Sequence, residues 1–260
     1  MKENKKSIFS KRTASVLVIA ILLFAAAGVT GVRAMLNIQS QDYIAEFELS
    51  NLDITLMEGD EAVTDQTLKL PALNNTYKPG YIYDEVIKAR NDGDINVFLR
   101  INLRKYWGDE NGKKNTKLDP ALIDLTYNGE KCGPDWMVSS RESDNTTERT
   151  TYYYKHLLLG TIDAPSESAR ITTPVINKLQ INGEVVDKDK VILVEESRDG
   201  DKVTYKYEYE YSGMYAWIEA DVQALQNHNA QDAIKSLWGL TDDEFTVTTG
   251  GETEGSLSVK

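Results

Sequence analysis

Two stretches of the chain alternate their side chains so regularly that they suit one backbone only. In 95–107 the odd positions hold Ile95, Val97, Leu99, Ile101, Leu103 and Trp107, while the even positions hold Asn96, Phe98, Arg100, Asn102, Arg104 and Tyr106. In 203–211 Val203, Tyr205, Tyr207, Tyr209 and Tyr211 alternate with Thr204, Lys206, Glu208 and Glu210. A period of two sends successive side chains to opposite faces of a strand; wound as a helix, the same residues would scatter around the axis. Antiparallel strands with one face in a core and one face wet follow.

The rest of the chain carries the same signature. Residues 43–56 alternate loosely through Ile44, Phe47, Leu49, Leu52, Ile54 and Leu56. Residues 85–90 lead through Asn91-Asp92-Gly93-Asp94 into the strand from Ile95, which predicts a hairpin with turn chemistry at its tip. Residues 123–127 with Asn128-Gly129 predict a short strand and tight turn, and 152–159 a further strand. Residues 166–180 read as extended, since Pro165 and Pro174 oppose helix. After Gly213, Met214, Ala216, Ile218, Ala220 and Val222 alternate with polar and aromatic residues, which predicts pairing back onto 203–211. The polar stretches 108–117 and 139–150 are expected as loops. One helix is expected, capped by Asn229, carrying Ala233, Ile234, Leu237 and Trp238 on one side and ended by Gly239. The expected fold is therefore mainly β: an antiparallel, jelly-roll-like β-sandwich over 35–249 with one short helix in its C-terminal region, followed by a polar tail over 250–260.

The N-terminus differs from all of this. Lys2, Lys5, Lys6, Lys11 and Arg12 precede an apolar run from Ala14 to Gly28, which gives way to small residues and then Val32-Arg33-Ala34. A basic start, an apolar middle and a Val-x-Ala exit describe a secretory signal peptide over 1–34, with Val32 and Ala34 set for the peptidase and Met35 as the new N-terminus. The run falls short of the roughly 20 residues that a membrane span needs, which favours cleavage over a retained anchor.

The formal net charge is −12, and loss of 1–34, with six basic residues and one acid, carries it to −17. A chain this acidic is poorly suited to a phosphate backbone, so nucleic acid is not an expected partner. A single cysteine, Cys132, excludes an intrachain disulfide framework and a multi-cysteine zinc cluster. The two histidines, His156 and His228, are too far apart for a HExxH helix.

Four stretches resemble a known family. They are Gly31-Val32-Arg33-Ala34 followed by Tyr43-Ile44-Ala45-Glu46-Phe47; Pro79-Gly80-Tyr81-Ile82-Tyr83-Asp84-Glu85 running on to the segment 91–101; Tyr106-Trp107-Gly108-Asp109 with Gly112-Lys113-Lys114 and Leu118-Asp119-Pro120; and Glu219-Ala220-Asp221-Val222-Gln223-Ala224 with the segment 228–234 and Trp238-Gly239. In this order they resemble the secreted proteins with SipW-dependent-type signal peptides, the TasA/camelysin family with its BsaA-type biofilm matrix proteins of Gram-positive bacteria. The resemblance implies a secreted jelly-roll sandwich, export through a dedicated signal peptidase, and a role as an extracellular matrix or fibre subunit. Some relatives are labelled metalloproteases; this sequence shows no zinc-ligand motif, and no catalytic residue, metal or cofactor is expected.

Individual chemical groups have quiet readings. Cys132 lies in a turn-like Lys-Cys-Gly-Pro context with no nucleophile signature around it. His156, on the parity of Tyr152 and Tyr154, is expected to be packed, and His228 to precede the helix. Asp92 with Asp94, and Asp109 with Glu110 and Asn111, supply oxygens of the kind Ca²⁺ takes but lack EF-hand spacing, so solvated turns are expected. Tyr205, Tyr207, Tyr209 and Tyr211 have three readings: packing on the second sheet, which is preferred, a subunit interface, or a sugar-stacking platform.

Assembly is the functional expectation. The mature N-terminus, with Leu36 and Ile38 on one parity and Ile44 beyond, either folds back on its own domain or adds as a strand to the next subunit, a head-to-tail contact that propagates into a filament. The expected partners are copies of itself, a signal peptidase during export, and other matrix or cell-wall components. A secreted camelysin-like metalloprotease and a monomeric cell-surface adhesin or carbohydrate-binding module are the alternatives.

Overall fold

The computed structural model describes residues 52–64, 67–70, 77–200 and 202–260. The expected signal peptide, the expected cleavage residues Val32, Ala34 and Met35, and the expected assembly residues Leu36, Ile38 and Ile44 lie outside them.

Among the described residues the chain is mainly β, with antiparallel sheets and one short helix. One sheet holds β1 (Ile54–Glu58), β2 (Glu61–Ala62), β3 (Ile82–Asn91), β5 (Ile123–Thr126) and β8 (Ile176–Ile181) in the order β2-β1-β3-β8-β5. The other holds β4 (Val97–Gly108), β6 (Trp136–Val138), β7 (Arg149–Tyr154) and β11 (Tyr215–Gln226) in the order β11-β4-β7-β6. The main core takes Leu56, Ile87, Ile176 and Leu179 from the first sheet and Leu99, Ile101, Trp107 and Ile218 from the second, giving a β-sandwich-like body.

The alternation of 95–107 is borne out in β4, with one informative exception. Leu99, Ile101 and Leu103 are buried in the main core, while Arg100 and Asn102 stand on the opposite face. Phe98 belongs to that opposite face yet is fully buried. It is covered by a second cluster formed with Tyr153, Leu225, Ile234, Trp238, Phe245 and Leu257. The cover comes from α1 (Ala230–Ala233), continued as a wider π turn over Ile234–Trp238, and from the hairpin of β12 (Phe245–Thr249) and β13 (Gly255–Val259).

Five expectations are corrected. First, β3 and β4 do not form a hairpin: they belong to different sheets. Fully buried Asn91 is the reason, since its side-chain amide donates to Ile95 O at 2.8 Å and its Oδ1 accepts from Gly93 N at 3.0 Å, fixing the 91–95 segment as an arch over the core edge. Second, 203–211 does not pair with 214–222. β10 (Lys202–Tyr209) pairs with β9 (Val191–Asp199) across a turn at Gly200, and β11 pairs with β4 along its whole length. Third, Asn229 makes no side-chain cap; it is in the left-handed region at φ 55. Gly239, also left-handed, ends the helical segment as expected. Fourth, 250–260 is no polar tail: Leu257 is 2% exposed in β13. Fifth, His156 is exposed and its ring bonds Asp135 at 3.1 Å. The tight turn at Asn128-Gly129 forms as expected, with both residues at positive φ and Tyr127 paired to Glu130.

Candidate functional site

The long strand β11 ends its sheet. On one side it is bonded to β4 through twelve residue pairs. On the other, Leu68 N donates to Ile218 O at 2.9 Å and Thr67 bridges Glu219. In an antiparallel strand both backbone groups of a residue point to the same side. The backbone groups of Ile218 point outward, so those of Ala220, Val222 and Ala224 do too; the Thr67–Glu219 bridge occupies the edge as far as Ala220, and among the described residues the outward groups of Val222 and Ala224 have no backbone partner. Their side chains turn inward, with Ala220 buried in the main core and Val222 and Ala224 packed on it. β1, the penultimate strand of the facing sheet, lies beside β11 and also packs Ile54 against this core. Among the described residues this flank of the sandwich thus presents a strand edge unpaired beyond Ala220 above a partly covered apolar floor, the arrangement that accepts an added strand.

Residues 67–70 strap one end of this flank. Both oxygens of Glu58 hold the strap, accepting from Lys69 N at 2.9 Å and Leu70 N at 2.7 Å. Leu70 is in the left-handed region at φ 48, a conformation that costs a leucine about 1 kcal/mol and that these bonds and its burial must offset. Beside Glu58 lies Glu85, 2% exposed, with a buried Oε2 that finds no partner. Burial first, and then the charge and hydrogen bond of Glu58, push the Glu85 carboxyl up to about 8.

Leu68, Leu70, Tyr77, Tyr211, Met214 and Trp217 line an apolar groove of about 480 Å³ next to the strap. Tyr211 is buried there, edge-on to Trp107 at a centroid distance of 4.9 Å, and its hydroxyl accepts from Asp119 N at 3.1 Å. From this root the β9–β10 ribbon projects with every residue of β9 exposed and nearly every residue of β10. Tyr205, Tyr207 and Tyr209 are 49%, 60% and 43% exposed, which overturns packing on the second sheet for these three; Tyr211 alone of the four is in the core.

The remaining candidates stand apart from this flank. The Cys132 thiol is half-buried, points at Trp136 O at 3.5 Å, and is pushed up by burial. Asp92 is taken by Arg90 at 2.7 Å, Thr55 at 2.7 Å and Arg170 at 3.4 Å; Asp109 accepts from Asn111 N and Lys113 N at 2.9 Å, closing its own turn. His228 is exposed. Among the described residues no three His, Cys, Asp or Glu side chains are grouped to hold a metal ion. A polar trough of about 420 Å³ on the outer face of β4 is internally paired, Arg100 with Gln223 at 3.0 Å and Asn102 with Asp221 at 3.3 Å.

Sequence reasoning missed the apolar start of β9, Val191-Ile192-Leu193-Val194, although that run is itself a strand signal. It also missed the open side of β11, which no local pattern encodes, and the Glu58–Glu85 pair, which lies on two strands. Comparison with protein-family models, curated proteins and solved structures finds no match to this chain.

Proposed function

We propose that the chain is a secreted structural subunit of an extracellular, biofilm-type matrix fibre, a jelly-roll subunit of the TasA/camelysin kind that assembles when its mature N-terminus adds as a strand to a neighbouring copy. The observation that carries this reading is the outer edge of β11 beyond Ala220, unpaired among the described residues, above an apolar floor. Beyond the Thr67–Glu219 bridge the stretch 221–226 is about 20 Å long at ~3.3 Å per residue, room for most of a donor drawn from 35–41. Leu36 and Ile38, on one parity, would cover the partly buried Val222 and Ala224, while the backbone of the donor satisfies the outward groups of β11. Repeated passage of the chain from one sheet to the other supports the jelly-roll assignment. The resemblance over the signal exit and over 219–239 supports export and trimming by a dedicated signal peptidase, so that the donor is freed only outside the cell.

Deleting 35–41 tests the reading by electron microscopy and circular dichroism. The expected product keeps its β spectrum and no longer lengthens into filaments. Filaments of unchanged length and abundance would sink the mechanism.

A further inference from the structure

We propose that the apolar face of the β9–β10 ribbon binds the same face of a second copy, a lateral contact separate from the strand addition that builds the filament. Cross-strand partners share a face, and the register places Tyr209 beside Val191, Tyr207 beside Leu193, Tyr205 beside Glu196 and Val203 beside Arg198. A bulge between Lys206 and Tyr207 leaves Val194 as the extra residue and preserves this sorting beyond it. One face therefore holds Val191, Leu193, Val203, Tyr205, Tyr207 and Tyr209, all exposed, with Glu196 and Arg198 among them toward the tip. The other holds Lys202, Lys206, Glu195, Asp199 and Glu208 together with the exposed Ile192, with charges opposed at Lys206–Glu195 and Lys202–Asp199.

A two-stranded ribbon is marginal in water by itself, because it buries nothing on either side. Here most of the large apolar side chains are gathered on one side, with Ile192 on the other beside Glu208, and nothing among the described residues covers them. The bulge disturbs the ladder that edge-to-edge pairing would need, so the contact is made through the face.

Area and symmetry select a second copy as the occupant. The six side chains leave on the order of 500 Å² of apolar surface exposed, taking an aromatic side chain at about 200 Å². Two such faces together cover about 1,000 Å², the lower bound for a specific interface. The face is also matched to itself. In a two-fold contact with the axis along the ribbon, β9 of one copy lies over β10 of the other. Near the root Tyr207 then meets Leu193 and Tyr209 meets Val191, while toward the tip Glu196 and Arg198 lie over Tyr205 and Val203 of the second copy. A two-fold contact closes on itself, so it joins filaments in pairs and does not lengthen them.

The test uses the full chain, expressed and processed by its host, with Leu36→Asp and Ile38→Asp added to stop filament growth. Light scattering at about 100 µM, a concentration suited to an interface at the small end of the range, should give twice the monomer mass. Adding Leu193→Ser, Tyr205→Ser and Tyr207→Ser should halve that mass. Tyr205→Phe with Tyr207→Phe, which keeps the apolar area, should leave it doubled. A single-copy mass with the ribbon intact overturns the proposal, as does a doubled mass in the serine variant. Filaments that persist despite Leu36→Asp and Ile38→Asp count against strand addition alone. In that event the ribbon is judged from filament width, which the serine substitutions should reduce from paired to single strands. Unchanged width would overturn the contact.

Discussion

Glu85 shows how one buried group ties the flank to pH. Its carboxyl, almost fully enclosed beside Glu58, is held protonated well above the ordinary value of 4.5, to about 8. The folded state therefore binds a proton more tightly than the unfolded chain. The resulting stabilisation is complete below about pH 4.5 and is lost as pH rises through about 8. Stability should fall over that window, and Glu85→Gln, which keeps the shape and removes the charge, should flatten it. Chemical denaturation at pH 5 and pH 8 checks this: the wild type should lose a few kcal/mol relative to the variant, and equal slopes would refute it. The same residues mark a boundary of sequence reading. Glu58 and Glu85 meet only because β1 and β3 are neighbours, so no local window contains the pair. Asn91, by contrast, looked like hairpin chemistry because Asn favours turns; its full burial and its amide bonds to Ile95 and Leu158 carbonyls make it an arch residue.

At the scale of elements, β11 makes the sharpest forecast. Val222 directs its N–H outward, where the described residues offer no partner, so a proline there removes nothing from the ladder with β4. Val222→Pro should remain folded at a cost of about 1–2 kcal/mol and should fail to accept a strand. A thermal melt together with filament counts checks both halves; a normal filament yield from Val222→Pro would exclude this edge as the acceptor. Strand identity was legible here, because alternation is written locally in β4, β10 and β11. Strand partnership was not. The turn at Gly213 looks competent to join β10 to β11, yet Val191–Val194 supplies β10 with a partner across Gly200, and β4 offers β11 a ladder of twelve residues. The tail was misread for a similar reason: Leu257 and Val259 alternate with Ser256 and Ser258, a pattern too short to stand out until Phe98 and Tyr153 supply the surface it covers.

For the whole molecule, charge would set the conditions of the proposed assembly. Each copy carries a formal net charge of −12 before any trimming, and copies brought together along a filament repel one another. Raising ionic strength from about 0.01 M to about 0.15 M shortens the screening length from about 30 Å to about 8 Å, below the width of a subunit. Filament growth followed by light scattering should accelerate over that range, and a rate that falls instead would point to attraction between opposite charges as the driving force.

The twelve-pair ladder between β11 and β4 also decides how such a fibre would bear tension. A donor seated along β11 pulls parallel to that strand. The ladder bonds run across the pull, so they must all slip together and cannot peel open one after another. The joint would then be toughest along the fibre axis and weakest when the donor is lifted sideways, the behaviour of a lap seam: strong when stretched, easily stripped from one end.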